Sequence, residues 1–278
     1  MIASRVSAAA GRLTEAETRV VELVLAEPSQ VAFGTVASLA RAAGTSGPTV
    51  VRLATKLGFE GFVGMQAAVQ AELSQQLRPA AERIRARRPA NAFERSVAAA
   101  EDNVRSTFAS VDPRTFDEAV RLLSNRRSSL YVIAGESTAG VAAQFVDSLS
   151  LLRSSVQQVR GSVIAVARSL AFVEEGDVTI AVEVRRYESW VVDAIADARS
   201  RGATGVAITD SALSPLARGA DVVFTVAAEG PGPFDSHVGT LALLDALVAG
   251  VADRLRASTS TVARIDSVEA AVASHLQD

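Results

Sequence analysis

Thr45-Ser46-Gly47-Pro48-Thr49-Val50-Val51-Arg52-Leu53-Ala54-Thr55-Lys56-Leu57-Gly58-Phe59 encodes a helix together with its start, its faces and its stop. Ser46 is suited to the N-cap, its hydroxyl accepting from the Thr49 backbone N–H. Pro48 falls in the first turn, where a missing N–H is harmless. Val50, Leu53 and Leu57 recur at spacings of three and four and form one apolar stripe, while Thr49, Arg52 and Lys56 share a second, polar and cationic one. Gly58 can take positive φ just past the last turn, and Phe59 can fold back onto it.

The stretch upstream completes a helix-turn-helix. Thr14 and Glu17 have the form of a capping box, opening a helix over Glu15–Ala26 that ends before Pro28. A second helix starts after Thr35, turns Val36, Leu39 and Ala40 inward and stops at Ala43-Gly44. In such a pair the second helix enters the major groove of duplex DNA by its N-terminal residues, and a plain three-helix bundle is the alternative. Thr45, Ser46, Thr49, Arg52, Thr55 and Lys56 are the DNA-contact candidates, Thr49 and Arg52 for base edges, Ser46 and Lys56 for phosphates. Charge favours DNA: residues 1–90 hold 11 Lys and Arg against 7 Asp and Glu, whereas the rest hold 17 against 24.

The 278 residues suffice for two domains, and 49% apolar with 21% charged residues is an ordinary globular composition. With no cysteine, thiol catalysis, disulfides and thiolate metal sites are excluded. The two histidines, His237 and His275, lack metal-binding spacing, so neither metal nor cofactor is expected. The apolar run Leu241–Val251 is interrupted by Asp245 and too short to span a bilayer, so no membrane partner is expected and the expected compartment is the cytoplasm.

Arg78-Pro79 to Arg88-Pro89 is rich in Arg and Ala and reads as a boundary, its Arg83, Arg85, Arg87 and Arg88 either solvated or touching phosphates. Beyond Pro113 the pattern changes. Leu130–Ala134, Val156–Val159, Val178–Val184, Gly205–Thr209 and Val222–Val226 are short β-branched runs, separated by helical segments such as Val141–Leu152 and Ser189–Ser200. This predicts a parallel sheet covered on both faces. Small molecules gather at the carboxyl ends of such strands, here the loops after Ala134, Val184 and Thr209.

The helix-turn-helix with Val50-Val51-Arg52 and Lys56-Leu57-Gly58-Phe59, followed by an α/β region containing Asp177–Val182, Arg201-Gly202-Ala203, Ala207–Ser211 and Ser214–Ala217, resembles the RpiR family of bacterial transcriptional regulators. The resemblance spans nearly the whole chain. It implies an all-α helix-turn-helix domain followed by an α/β three-layer parallel-sheet SIS-like domain, divided as 1–77, a linker with connecting helices at 78–112, and 113–278. The family's SIS domains sense phosphosugars. The loop after their third strand typically reads Ser-x-Ser-Gly-x-Thr and cradles a phosphate at a helix N-terminus.

Those positions are Glu183, Arg185, Arg186 and Glu188 here, with no hydroxyl among them. An ionised Glu183 would repel phosphate. Arg185 and Arg186 could attract it or pair with Glu183 or Glu188. In the first loop the usual Gly-x-Gly-x-Ser becomes Gly135-Glu136-Ser137-Thr138-Ala139, leaving Ser137 and Thr138 as ligand or capping hydroxyls. Ser211 and Ser214 read as turn and cap residues with a possible ligand role, and His237 as a lid candidate beside the Gly-Pro-Gly-Pro loop at 230–233. The expected effector-site residues are thus Ser137, Thr138, Glu183, Arg185, Arg186, Glu188, Ser211 and His237. The expected function is a DNA-binding regulator controlled by a phosphosugar or another acidic sugar derivative. An effector-independent regulator using the SIS-like domain as a dimerisation platform is one alternative, and a sugar-phosphate isomerase, which needs a placed base that the loop does not supply, is another. A homodimer or homotetramer is expected, with Val238–Leu255 and Val262–Leu276 as interface helices.

Overall fold

The computed structural model describes residues 5–6, 9–77, 91–185, 187–212, 214–256 and 259–275. The chain forms two compact units, one centred on residues 1–91 and a larger one on residues 92–278.

In the first unit, α1 (Glu15–Ala26), α2 (Pro28–Phe33), α3 (Val36–Ala42), α4 (Gly47–Lys56) and α5 (Gly61–Leu77) follow in order. The capping box at Thr14 and Glu17 is present, and a second one joins Thr35 and Ser38 at the head of α3. Helix α4 ends in a Schellman motif: Gly58 takes φ +79°, its N–H donates to the Thr55 carbonyl and the Phe59 N–H to that of Ala54. Val20, Val21 and Val24 of α1, Leu39 and Ala40 of α3, Val50, Leu53 and Ala54 of α4, and Met65 and Val69 of α5 close one apolar core.

The second unit begins with α6 (Ala92–Ser110) and α7 (Pro113–Leu123). It continues with β1 (Leu130–Ala134), α8 (Ala139–Leu152), β2 (Val156–Val159), α9 (Val163–Leu170), β3 (Val178–Val182) and α10 (Ser189–Ser200). It ends with β4 (Thr204–Thr209), α11 (Pro215–Arg218), β5 (Val222–Thr225), α12 (Val238–Leu255) and α13 (Thr259–His275). The strands form one parallel sheet in the order β2-β1-β3-β4-β5. Alternation in β1 serves two layers. Leu130, Val132 and Ala134 join Phe145 and Leu149 of α8 and Leu243 and Leu247 of α12, while Tyr131 and Ile133 face the opposite way, with Leu170 of α9 and Val191 and Ile195 of α10.

Two expectations shift. Helix α6, assigned from sequence to the connecting stretch, packs within the second unit: Asn103 exchanges two hydrogen bonds with the Glu229 backbone at 2.8 and 2.9 Å, and Thr107 Oγ1 accepts from Ala227 N–H. Residues 78–90, with the arginine run, lie outside the described residues. The apolar side of α12 is intramolecular core rather than a free interface, since Leu243, Leu244, Leu247 and Val251 are all buried.

Arg153 is among the largest fully buried side chains. Its guanidinium donates to the carbonyls of Leu123 at 2.9 Å, Asn125 at 2.7 Å and Ser128, capping the C-terminus of α7 and the turn after it. The Leu123 carbonyl is one that a helix end leaves unpaired, whereas that of Asn125 also accepts from the N–H and hydroxyl of Ser128. Arg153→Met is expected to destabilise by about 2–4 kcal/mol, because the apolar replacement strands the Leu123 and Ser128 acceptors. Thermal or urea unfolding checks this, and an unchanged midpoint would show that the carbonyls find other donors.

Candidate functional site

The stretch quoted above folds as read, but its polar stripe is partly tied up within the protein. Ser46 holds the N-cap position without capping: its hydroxyl meets Thr49 Oγ1 at 2.9 Å rather than a backbone N–H. Thr49 is buried and also accepts from Arg52 Nη2 at 3.3 Å, so it is not the open base-reading group that its helical spacing suggests. Lys56 Nζ lies 2.7 Å from Glu17 Oε2, the carboxylate that closes the α1 capping box. Hydrogen bonds from Lys56 and from the Thr14 backbone hold the Glu17 carboxyl below its usual range. The lysine fastens the last turn of α4 to the first turn of α1, which argues against the phosphate role predicted from sequence. Ser46, Val51, Arg52, Thr55 and the ion-paired Lys56 are exposed, with Thr45 half-exposed. Val51, next to Val50, faces the other way, 40% exposed.

In the second unit the strand order reverses between β1 and β3, so the loops leaving their carboxyl ends diverge to opposite faces and open a crevice. The Thr138 hydroxyl donates to the Val182 carbonyl at 2.8 Å and joins the two loops; it is a buried cross-link, neither a helix cap nor a free ligand hydroxyl. Ser137 is exposed.

Glu183 and Glu188 converge above Gly135. A Cβ at Gly135 would overlap Glu183 Oε1 and stand 2.5 Å from Glu188 Oε1, so only glycine admits both carboxyls. Glu188 Oε1 accepts from the Glu136 N–H at 2.7 Å, and Oε2 from Trp190 Nε1 at 2.7 Å. Glu183 is fully buried and neither of its oxygens makes a well-formed hydrogen bond, although the backbone N–H groups of Glu188 and Gly135 lie close enough to pull its carboxyl toward the charged form. Burial first, and the Glu188 carboxyl second, push the Glu183 carboxyl up to about 8. At neutral pH Glu183 therefore keeps its proton.

Arg185 pairs with neither of these carboxyls. Its guanidinium meets Glu229 at 2.8 Å and Asp235 at 3.2 Å, while its backbone, at φ +61°, donates N–H to Asp210. Tyr187 O–H also donates to Asp210. Arg186 lies outside the described residues. Ser211 is buried behind β4, and Ser214, also buried, precedes α11. His237 stands at the N-cap position of α12, half-buried, with burial holding its imidazole below the usual range against the pull of Asp235.

A helix-turn-helix unit with an exposed reading helix, joined in one chain to a parallel α/β domain with a crevice at its strand reversal, defines a DNA-binding transcriptional regulator carrying a SIS domain. The helix-turn-helix domain of the rpiR family matches residues 1–76, and the SIS domain matches residues 122–250. The chain belongs to the RpiR family. It is 30% identical to the sugar isomerase domain of an RpiR transcription factor from Sphaerobacter thermophilus, covering 64% of this chain and 97% of that one, with a TM-score of 0.57. It is 26% identical to the HTH-type transcriptional regulator HexR of Pseudomonas aeruginosa over 86% of this chain and 85% of HexR. The Vibrio vulnificus NanR protein complexed with ManNAc-6P shares the fold, at 21% identity, 98% coverage of both chains and a TM-score of 0.59. No helix among the described residues is long and apolar enough to cross a membrane.

The carboxyl pair sets a pH dependence of stability. Between 4.5, the ordinary value, and about 8, the folded chain keeps the Glu183 proton that the unfolded chain releases, so this group's contribution falls as pH rises through that window. Glu183→Gln, neutral throughout, is expected to raise Tm over the wild type at pH 8 and to change it far less at pH 4.5. An equal difference at both pH values would show that Glu183 is ionised in the native state.

Proposed function

We propose that α4 reads operator DNA through Arg52, Val51 and Thr55, with Thr45 and Ser46 on the phosphates, and that the SIS domain senses an acidic carbohydrate metabolite in the crevice between β1 and β3. The exposure of Arg52 and Val51 on a helix otherwise fixed by Val50, Leu53 and Ala54 carries the DNA assignment. An arginine can bond a guanine edge bidentately, and a valine methyl suits the thymine methyl. For the ligand, the support is the buried Glu183 at the strand reversal, neither of whose oxygens makes a well-formed hydrogen bond, together with the ManNAc-6P complex of NanR. Ser137 at the crevice mouth and His237 beside Asp235 complete the proposed surroundings. Symmetric pairing of two chains would match a palindromic operator. Phe93 and Val97 of α6 and Val268 and Val272 of α13, all exposed, are suited to that contact.

The internal satisfaction of Arg185 and Glu188 favours a second reading, a SIS domain that only assembles the regulator. Thermal unfolding with a panel of sugar phosphates and sugar acids separates the two. A ligand at about 100 times its dissociation constant adds roughly 2.7 kcal/mol, and a flat panel supports the second reading.

For DNA, Arg52→Ala is expected to lose about 1–3 kcal/mol of discrimination between a selected operator and random duplex, measured by fluorescence anisotropy. Lys56→Ala, by contrast, is expected to lower Tm and to leave the salt dependence of DNA binding unchanged. A salt slope reduced by about one for Lys56→Ala would restore lysine to the phosphates.

A further inference from the structure

The Glu183–Glu188 pair occupies the place where the family's loop offers hydroxyls to an anion. Three observations describe what it does there. Glu188 sets a carboxyl oxygen on the Glu136 backbone N–H, a donor in the loop between β1 and α8. Glu183, fully buried, directs Oε1 at the same point above Gly135, and neither of its oxygens makes a well-formed hydrogen bond, although the backbone N–H groups of Glu188 and Gly135 lie close to the carboxyl. Arg185, the cation expected to attract a ligand anion, is instead neutralised by Glu229 and Asp235. Backbone N–H groups can serve only the acceptor side of the Glu183 carboxyl; the O–H of its protonated form finds no acceptor, and a buried donor without one loses free energy that a ligand oxyanion would restore.

We propose that Glu183 is the neutral hydrogen-bond donor of the effector site and that Glu188 is an internal anion holding the ligand's place, so that an oxyanion of the effector displaces Glu188 from the Glu136 amide and accepts the Glu183 O–H. The inference rests on the acidic-effector reading above. No covalent bond changes: Glu188, half-buried, turns its carboxylate toward water still ionised, and the Glu183 proton stays on Glu183 while bonding the ligand. A carboxylic acid kept neutral by its surroundings can serve as an O–H donor in this way. The other charged and titratable groups on the surrounding loops are Glu136 after β1, Arg185 and Tyr187 after β3, and Asp210 after β4, with Arg186 outside the described residues. Loss of the Glu183 proton would put a second negative charge against the ligand. Its carboxyl, raised to about 8 by burial and Glu188, makes that loss fall just above neutral pH.

The shared chemistry is an oxyanion, and its source is a sugar phosphate or a sugar acid. Isothermal titration calorimetry with glucose 6-phosphate and gluconate at pH 7 and pH 9, where the charge of each probe is nearly settled, tests the proposal and distinguishes the sources. Binding of glucose 6-phosphate but not gluconate identifies a phosphate, the reverse a carboxylate. In the wild type, affinity is expected to fall about tenfold from pH 7 to pH 9, following the neutral fraction of a group titrating near 8. Glu183→Gln, a permanent donor, is expected to keep its affinity at pH 9, and Glu188→Gln to bind more tightly than the wild type at pH 7. Equal wild-type affinity at the two pH values, or loss of binding by Glu183→Gln at both with its unfolding transition intact, overturns the donor role. Absence of binding by the wild type and both variants overturns the acidic-effector reading itself and this inference with it.

Discussion

The reversal of strand order between β1 and β3 is the constraint on which the second unit turns. It opens a crevice at their carboxyl ends, and two loops must close its floor without filling it. They do so through the Thr138 hydroxyl on the Val182 carbonyl and through Gly135, whose missing side chain leaves room for two carboxyls at one point. Two carboxyls that close cannot both be ionised at modest cost, so the buried one, Glu183, keeps its proton. The remainder of the site follows that balance. Glu188 takes the Glu136 and Trp190 N–H donors, and Glu183 stays neutral. Arg185, at φ +61° with its backbone N–H on Asp210, turns its guanidinium to Glu229, whose backbone is gripped by Asn103 from α6.

An analogous joint organises the first unit. Glu17 closes the capping box of α1 with one carboxylate oxygen and receives Lys56 on that same oxygen, so a group that starts one helix also orients the last turn of another. Both Lys56 and Arg52, one turn earlier, are exposed, but Lys56 is ion-paired to Glu17 across the fold while Arg52 bonds only Thr49 within its own helix. The cationic stripe therefore divides into a residue that ties two helices together and one that makes no tie to another helix.

What was legible in the sequence was what depends on local spacing. The Thr14 capping box, the glycine stop at Gly58, the five strands and the covering of both sheet faces all follow from periodicity and turn chemistry, and each is observed. What was not legible is the choice of partner across the fold. Glu17 and Lys56 are 39 residues apart, Arg185 and Asp235 are 50 apart, and Asn103 and Glu229 are 126 apart. Periodicity reports which face a residue occupies, not whom it meets there. Ser46 and Thr138 illustrate a subtler miss. Each stands at a helix N-cap position as expected, yet neither hydroxyl caps: Ser46 bonds the Thr49 hydroxyl in its own first turn, and Thr138 a carbonyl supplied by another strand.

The most direct test of the Glu183 proton is carbon-13 NMR of the glutamate side-chain carboxyls, with Glu183 and Glu188 assigned through their glutamine variants and followed from acid to alkaline pH. The Glu183 resonance is expected to titrate near pH 8, and that transition to be absent from Glu183→Gln. Titration of both carboxyls in the ordinary range near 4.5 would contradict it, and would leave two ionised carboxylates above Gly135 to be explained by other charges.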